Sequence, residues 1–112
     1  MANFYKNQGF ALGTALTTVL TINASSVAII KSISVTNEHN SNNLVEFDLH
    51  DASATTNYRF YNIDMTADST DQAAGQVLNL EAGDSILAQA EVSGTVKGVI
   101  SYLLIDRSQE NG

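Results

Sequence analysis

The chain contains no cysteine. That excludes disulfides, thiol nucleophiles and thiolate metal sites together, and it leaves the redox compartment unmarked. Proline is absent as well, so the turns fall to Gly, Asn, Asp and Ser, which reach turn geometry through positive φ or short side-chain hydrogen bonds. Basic residues are few. Lys6, Lys31, Arg59, Lys97 and Arg107 stand scattered against twelve carboxylates, for a net charge of −7. A nucleic-acid binder needs clustered cations to displace phosphate counterions, and the sequence builds no such patch. The acidity instead suits the solubility of a β-rich protein. No apolar run approaches the roughly 20 residues of a membrane-spanning helix. The opening stretch MANFYKNQGFALGT has one lysine and no apolar block like that of a signal peptide, which argues against export by that route.

What is present is β-type sequence. Of 112 residues, 44% are hydrophobic and only 15% charged, a composition that fits one folded domain over residues 1–112 rather than a disordered chain or a helical bundle. The longest β-type run is Val27 to Asn37, VAIIKSISVTN. Alternation by two sets Val27, Ile29, Ile33 and Val35 on one face and Ile30, Ser32, Ser34 and Thr36 on the other, the pattern of a half-buried strand. Lys31 is the misfit, because strict alternation puts it among the apolar set. Either a β-bulge re-aims it, or its stem lies along the core with the ammonium at the edge.

The remaining runs follow at intervals of about ten residues. Residues 1–14 read as a first edge strand or as an arm that docks elsewhere, with Phe4, Tyr5 and Phe10 as its aromatics. Leu16 to Ile22 is a strand, and the short Asn23–Ser26 link to the next run predicts an antiparallel hairpin. Asn37 to Asn43 reads as a polar surface loop. In Leu44 to Asp51, Val45, Phe47 and Leu49 face in while Glu46, Asp48 and His50 face out. Asn57 to Met65 is a strand whose two halves fall out of step, which a bulge near Phe60 and Tyr61 reconciles. A loop with room for one helical turn spans Thr66 to Gly75, and Gln76 to Leu80 is a short strand. A tight turn at Glu81–Asp84 leads to the strand Ser85 to Val92. The last run, Val96 to Ile105, is apolar on both sides: Val96, Ile100, Tyr102 and Leu104 against Val99, Leu103 and Ile105. A strand apolar on both faces is central, or its outer face meets another subunit. Seven to eight such strands describe an all-β fold, an antiparallel β-sandwich of jelly-roll type.

Chemistry is harder to place. Asp64, Asp68 and Asp71 offer oxygens to a cation, but their spacing matches no calcium loop, and a solvated loop is the better reading. His39 and His50 lie near Glu38, Glu46, Asp48 and Asp51 without ligand spacing, so they read as exposed polar residues and no metal is expected. Serines and threonines are plentiful, yet none sits in a Gly-x-Ser-x-Gly elbow, and no carboxylate pair is held apart from a strand's ordinary outward face. The expectation is a non-enzymatic protein without a cofactor. Tyr58, Tyr61 and Tyr102 invite a carbohydrate-binding reading, against which core packing weighs more heavily.

The order MANFYK, TTVLTI, a short turn, VAIIKSISVTN and later VLNLEAGDSILAQA resembles small virion structural proteins of tailed bacteriophages, above all those of marine and cyanobacterial hosts. In that family a strand of the type a-I-[IV]-K-s-I-x-V-x-N follows a T-x-[VL]-x-T-[VI] strand, and an L-x-x-G-D turn leads into a late strand. The resemblance spans most of the chain and departs at Asn23, where relatives often carry proline. It implies a capsid decoration or cement protein that binds the major capsid protein on the outer shell as a homotrimer, made in the host cytoplasm and carried on the virion. Phe4, Tyr5, Lys6 and Phe10 are then the expected shell contacts, and Val99, Leu103 and Ile105 the expected subunit interface. Neither nucleic acid nor membrane is a partner in this reading. The alternatives are an accessory tail or fibre subunit and a carbohydrate-binding sandwich module.

Overall fold

The computed structural model describes residues 2–74 and 77–107. Nine strands lie among them: β1 (Ala2–Ala11), β2 (Thr17–Thr21), β3 (Ser26–Asn37), β4 (Asn43–Asp51), β5 (Thr56–Met65), β6 (Ser69–Gln72), β7 (Leu78–Leu80), β8 (Ser85–Ala90) and β9 (Val96–Asp106). The expected sandwich is there, with one strand more than the sequence suggested. The addition is β6, in the stretch expected to be a loop or helical turn; Gly75 and Gln76 lie outside the described residues.

Two antiparallel sheets form the sandwich. One runs β1-β9-β3-β6, with β7 also on β3; the other runs β2-β8-β4-β5. The pairings nest. β4 pairs with β5, β3 with β6 and β7, β2 with β8, and β1 with β9. This is one long antiparallel ribbon folded at the β4–β5 hairpin and rolled up, so that successive rungs fall in alternate sheets. The β3–β9 and β4–β8 ladders stitch the roll closed. That is the jelly roll.

The roll overturns one expectation. β2 and β3 are not a hairpin: they sit in different sheets, and Asn23–Ser25 carries the chain across the sandwich. The Asn23 side-chain oxygen accepts from the Ser25 N–H at 3.0 Å, an Asx turn that does here what a proline would do by restricting φ. The order of the strands is right, but β2 finds its partner in β8, more than 60 residues away in sequence.

Bulges settle the irregular periods. The β3–β9 register slips between Ile30 and Ser32, so Lys31 is an extra, exposed residue. The side facing the core is therefore Ser26, Ala28 and Ile30 before the slip and Ile33, Val35 and Asn37 after it. The bulge reading of Lys31 holds, but the faces of the first half are the reverse of strict alternation, and Val27 and Ile29 look outward. A second slip, at Phe60, brings Tyr61 and Met65 inward, as the broken period of that run required.

Phe47 on β4 is fully buried and organises the core: Phe10, Phe60 and Tyr61 surround it with ring centroids 5.6, 6.0 and 5.8 Å away. Two of these contacts are edge-on, the arrangement the ring quadrupole favours. Gly98 on β9 makes room for Phe10, since a Cβ there would stand 2.6 Å from its ring and closer still to the Ser34 carbonyl. The Glu81–Asp84 turn is also built by packing. Gly83 has φ +86°, a conformation that costs glycine nothing. The buried Asp84 carboxylate accepts from the N–H groups of Glu81 and Ala52, tying this turn to the β4–β5 loop.

Candidate functional site

The two outward sheet faces differ in kind. On the β2-β8-β4-β5 sheet the outer face satisfies itself. Arg59 donates to Asp48 at 2.8 Å and pairs with Glu46, which also accepts from Gln89 at 2.7 Å. The bond to Asp48 holds the Arg59 guanidinium above its usual pKa, and Asp48 itself is buried beneath it. His50 and Asn57 bond at 2.6 Å further along. Such a face is complete in water.

On the β1-β9-β3 sheet the register defines cross-strand rows. Outward rows run Asn3–Ile105–Val27, Tyr5–Leu103–Ile29–Asn79, Asn7–Ser101–Ser32, Gly9–Val99–Ser34–Gln72 and Ala11–Lys97–Thr36–Thr70. The first two rows gather Val27, Ile29, Leu103 and Ile105, all half-buried, with Tyr5 standing 80% exposed beside them. The far end of the face is small and polar. Lys31, released by the bulge, lies 5.5 Å over the Tyr5 ring. That cation–π contact stands at the edge of the apolar rows, over a shallow depression lined by Tyr5, Asn7, Lys31 and Ser101. A contiguous apolar patch on a small acidic protein is what a docking surface looks like, whereas single exposed apolar residues are ordinary.

This arrangement redistributes the residues singled out from the sequence. Residues 2–11 form an edge strand rather than a free arm. Tyr5, grouped with the shell contacts, shares its face with Leu103 and Ile105, grouped as a subunit interface. Val99 lies on the same face two rows away. Phe4 and Lys6 fall on the opposite side of β1, opposite Leu104 and Tyr102. Phe10 points inward to Phe47. Val27 and Ile29 belong to the patch and were not anticipated there, because unbroken alternation put them in the core. The signal that could have found them is Lys31 itself: a bulge at that residue flips every side chain before it.

The other candidates disperse. Among the described residues, no three of His, Cys, Asp and Glu come together as a metal could use them. Asp71 accepts from the Tyr61 hydroxyl at 2.8 Å across the open side of the sandwich, and burial together with that bond pushes the Tyr61 phenol upward. Tyr61 and Tyr102 are buried and only Tyr58 of the three is exposed, so they build no common sugar platform. The polar loop after β3 is anchored by its ends. Asn37 and Asn43 are fully buried. Asn37 donates to the carbonyls of Ser41, Met65 and Thr66 and accepts from the His39 N–H, while Asn43 pairs with both backbone groups of Val92.

No family model matches the chain, and no curated protein matches it. Solved structures do. A chain of the acid-stable capsid structure of Helicobacter pylori bacteriophage KHP30 is similar over 96% of this chain and 90% of its own, with 16% identity and a TM-score of 0.62. The Drosophila NLP core, solved for insight into pentamer formation and histone binding, matches 90% of this chain and 99% of its own at 11% identity and a TM-score of 0.57. A chain of the T13 particle of IBDV matches 91% of this chain but only 30% of its own, at 7% identity and a TM-score of 0.54. At such identities the likeness is one of fold.

Proposed function

We propose that this chain is a non-enzymatic virion structural protein of a tailed bacteriophage, which decorates the outside of the capsid and stabilises the shell as a homotrimer. The observation that carries the reading is the contrast between the two sheet faces, one closed by its own ion pairs and one carrying two apolar rows beside the exposed Tyr5. Sequence resemblance and fold point the same way. The phage capsid chain it matches is nearly the same length, so the likeness there is to a whole small subunit rather than to one part of a large one.

In this reading Tyr5, Leu103, Ile105, Val27 and Ile29 form one surface with one partner, the major capsid protein. Tyr5 is the anchor type that interfaces favour, a rigid ring with a polar tip. The aliphatic rows around it exclude water, and Lys31 at the border takes a carboxylate on the shell. Leu103 and Ile105 thereby pass from the subunit interface to the shell contact, and the trimer is joined elsewhere. No step of this function needs a reacting group.

Cosedimentation with undecorated shells of the encoding phage tests it. Leu103→Glu sets a charge in the patch and Tyr5→Ser removes its anchor; each is expected to weaken binding tenfold or more, on the order of 1.4 kcal/mol or above. Glu46→Gln, on the opposite face, is the control and leaves binding unchanged. Truncation of β1 is a poor test, because it also takes Phe10 from the core. Undiminished binding by Leu103→Glu, with a normal thermal melt, overturns the assignment of the face. Immunogold label on the tail rather than the shell moves the protein to the tail.

A further inference from the structure

The strands that end the two sheets on opposite sides of the molecule match each other in a way that shell binding does not use. β1 is paired along its length by β9 and β5 by β4, and among the described residues neither has a strand on its other side. Each is ten residues long. A row of free N–H and C=O groups on a long edge is a template for another strand, and proteins blunt such edges with proline, inward charges or short length. Here β1 has no proline and is ten residues long, and its one charge, Lys6, bars a strand that brings no acid to meet it.

Apolar exposure concentrates on the same two strands. The large apolar side chains exposed among the described residues are Phe4, Tyr5, Tyr58, Ile63, Val77 and Val99; β1 carries two of the six and β5 another two. Charge divides between them. Residues 2–37 hold Lys6 and Lys31 and no carboxylate at all. The edge at β5 is acidic: Asp64 and Asp71 are exposed and line an open groove with Ile63, and Asp68 is exposed in the β5–β6 loop. Its one cation, Arg59, is taken by Glu46 and Asp48.

We propose that the β1 edge of one copy docks on the β5 edge of the next, head to tail, so that identical subunits close a ring. Pairing β1 with β1 across a twofold axis would bring lysines together without an acid, and pairing β5 with β5 would do the same to aspartates. Only the heterologous contact sets Phe4 and Lys6, which share one side of β1, against Ile63 and Asp71, which share the inner side of the β5 edge. A heterologous contact has no twofold of its own and closes as a ring when its rotation allows. The inference rests on the homo-oligomer in the reading above and is independent of the capsid.

The absence of native cysteine makes the contact directly readable. Gln8→Cys marks β1 and Asn62→Cys marks β5, and neither replaces a charged residue. Sedimentation velocity first gives the mass of the unmodified protein, and a short bismaleimide then links neighbouring thiols. The chain carrying both cysteines is expected to give covalent dimers and trimers on a denaturing gel. Each single variant stays monomeric, and an equal mixture of the two gives dimers only. Lys6→Asp is expected to raise the dissociation constant of the assembly at least tenfold, and Asp71→Lys added to it recovers most of the loss, with a thermal melt to check the fold. Dimers from Gln8→Cys alone, or an oligomer that the double variant does not link, overturns the head-to-tail contact and leaves the oligomer standing. A monomer at all concentrations overturns the oligomer itself, whatever the shell-binding result.

Discussion

Single polar residues, buried at places where strands end, tie the connections of this sandwich together. Asn37 is one of them: its side-chain amide and oxygen serve three carbonyls and an N–H around the β3–β4 and β5–β6 connections. Removing it strands those backbone groups away from water, so Asn37→Ala is expected to cost about 1–3 kcal/mol in chemical denaturation. An exposed asparagine such as Asn40 changes little on the same substitution. Tyr61 and Tyr102 couple the fold to alkaline pH. Burial pushes both phenols upward, and Tyr61 also donates to Asp71. A folded pKa raised above the unfolded value of about 10 means that the contribution is whole below that pH and lost as pH rises beyond it. Thermal melts between pH 8 and 11 are therefore expected to hold steady at first and then fall. Tyr61→Phe flattens part of that fall while lowering stability slightly at neutral pH.

Among the elements, β3 gives the sharpest test. Its bulge leaves Lys31 outside the ladder, with Ile30 opposite Tyr102 and Ser32 opposite Ser101. Deleting Lys31 therefore keeps both the register with β9 and the inward set Ser26, Ala28, Ile30, Ile33, Val35 and Asn37. The loss is the contact with Tyr5, about 0.5–1 kcal/mol, and the variant is expected to fold. Deleting Ser34 instead turns Val35 and Asn37 outward and is expected to leave no cooperative melt. Circular dichroism melts of the two deletions decide the matter. This element also marks what the sequence could tell. Alternation in VAIIKSISVTN identifies a strand and flags Lys31, yet it carries nothing about which side of the bulge the pattern resets, so Val27 and Ile29 fall on the core face by strict alternation and on the outer face in the structure. LTTVLTI marks β2 as a strand, but its partner is β8 and not the adjacent run, because local periodicity carries no information about pairing across the chain. Asn37 and Asn43 looked like ordinary loop residues, since burial of a polar side chain depends on backbone groups brought from elsewhere. Of the candidate surface, Tyr5, Leu103 and Ile105 were legible as residues that needed a partner. Their meeting on one face depends on β1 pairing with β9, which the sequence did not reveal.

At the scale of the whole molecule, one sheet face carries an apolar patch, and the two ten-residue edges, β1 and β5, carry exposed apolar side chains. The jelly roll spans 53 × 27 × 22 Å, with the β1-β9-β3 face along one side and the β1 and β5 edges at opposite flanks. The proposed reading gives the subunit three neighbours: a shell beneath its apolar face and a copy of itself at each edge. The two contacts are separable. Leu103→Glu is expected to release the protein from the shell without altering its mass in solution, and Lys6→Asp to break the ring first. The most direct measurement is a cryo-electron microscopy map of the encoding phage. It is expected to show the sandwich on the outer surface of the capsid in threefold groups, with Tyr5, Leu103 and Ile105 against the major capsid protein and the β2-β8-β4-β5 sheet toward solvent. Density for the chain only at the tail, or on the shell with the Glu46–Arg59–Asp48 face inward, contradicts the account.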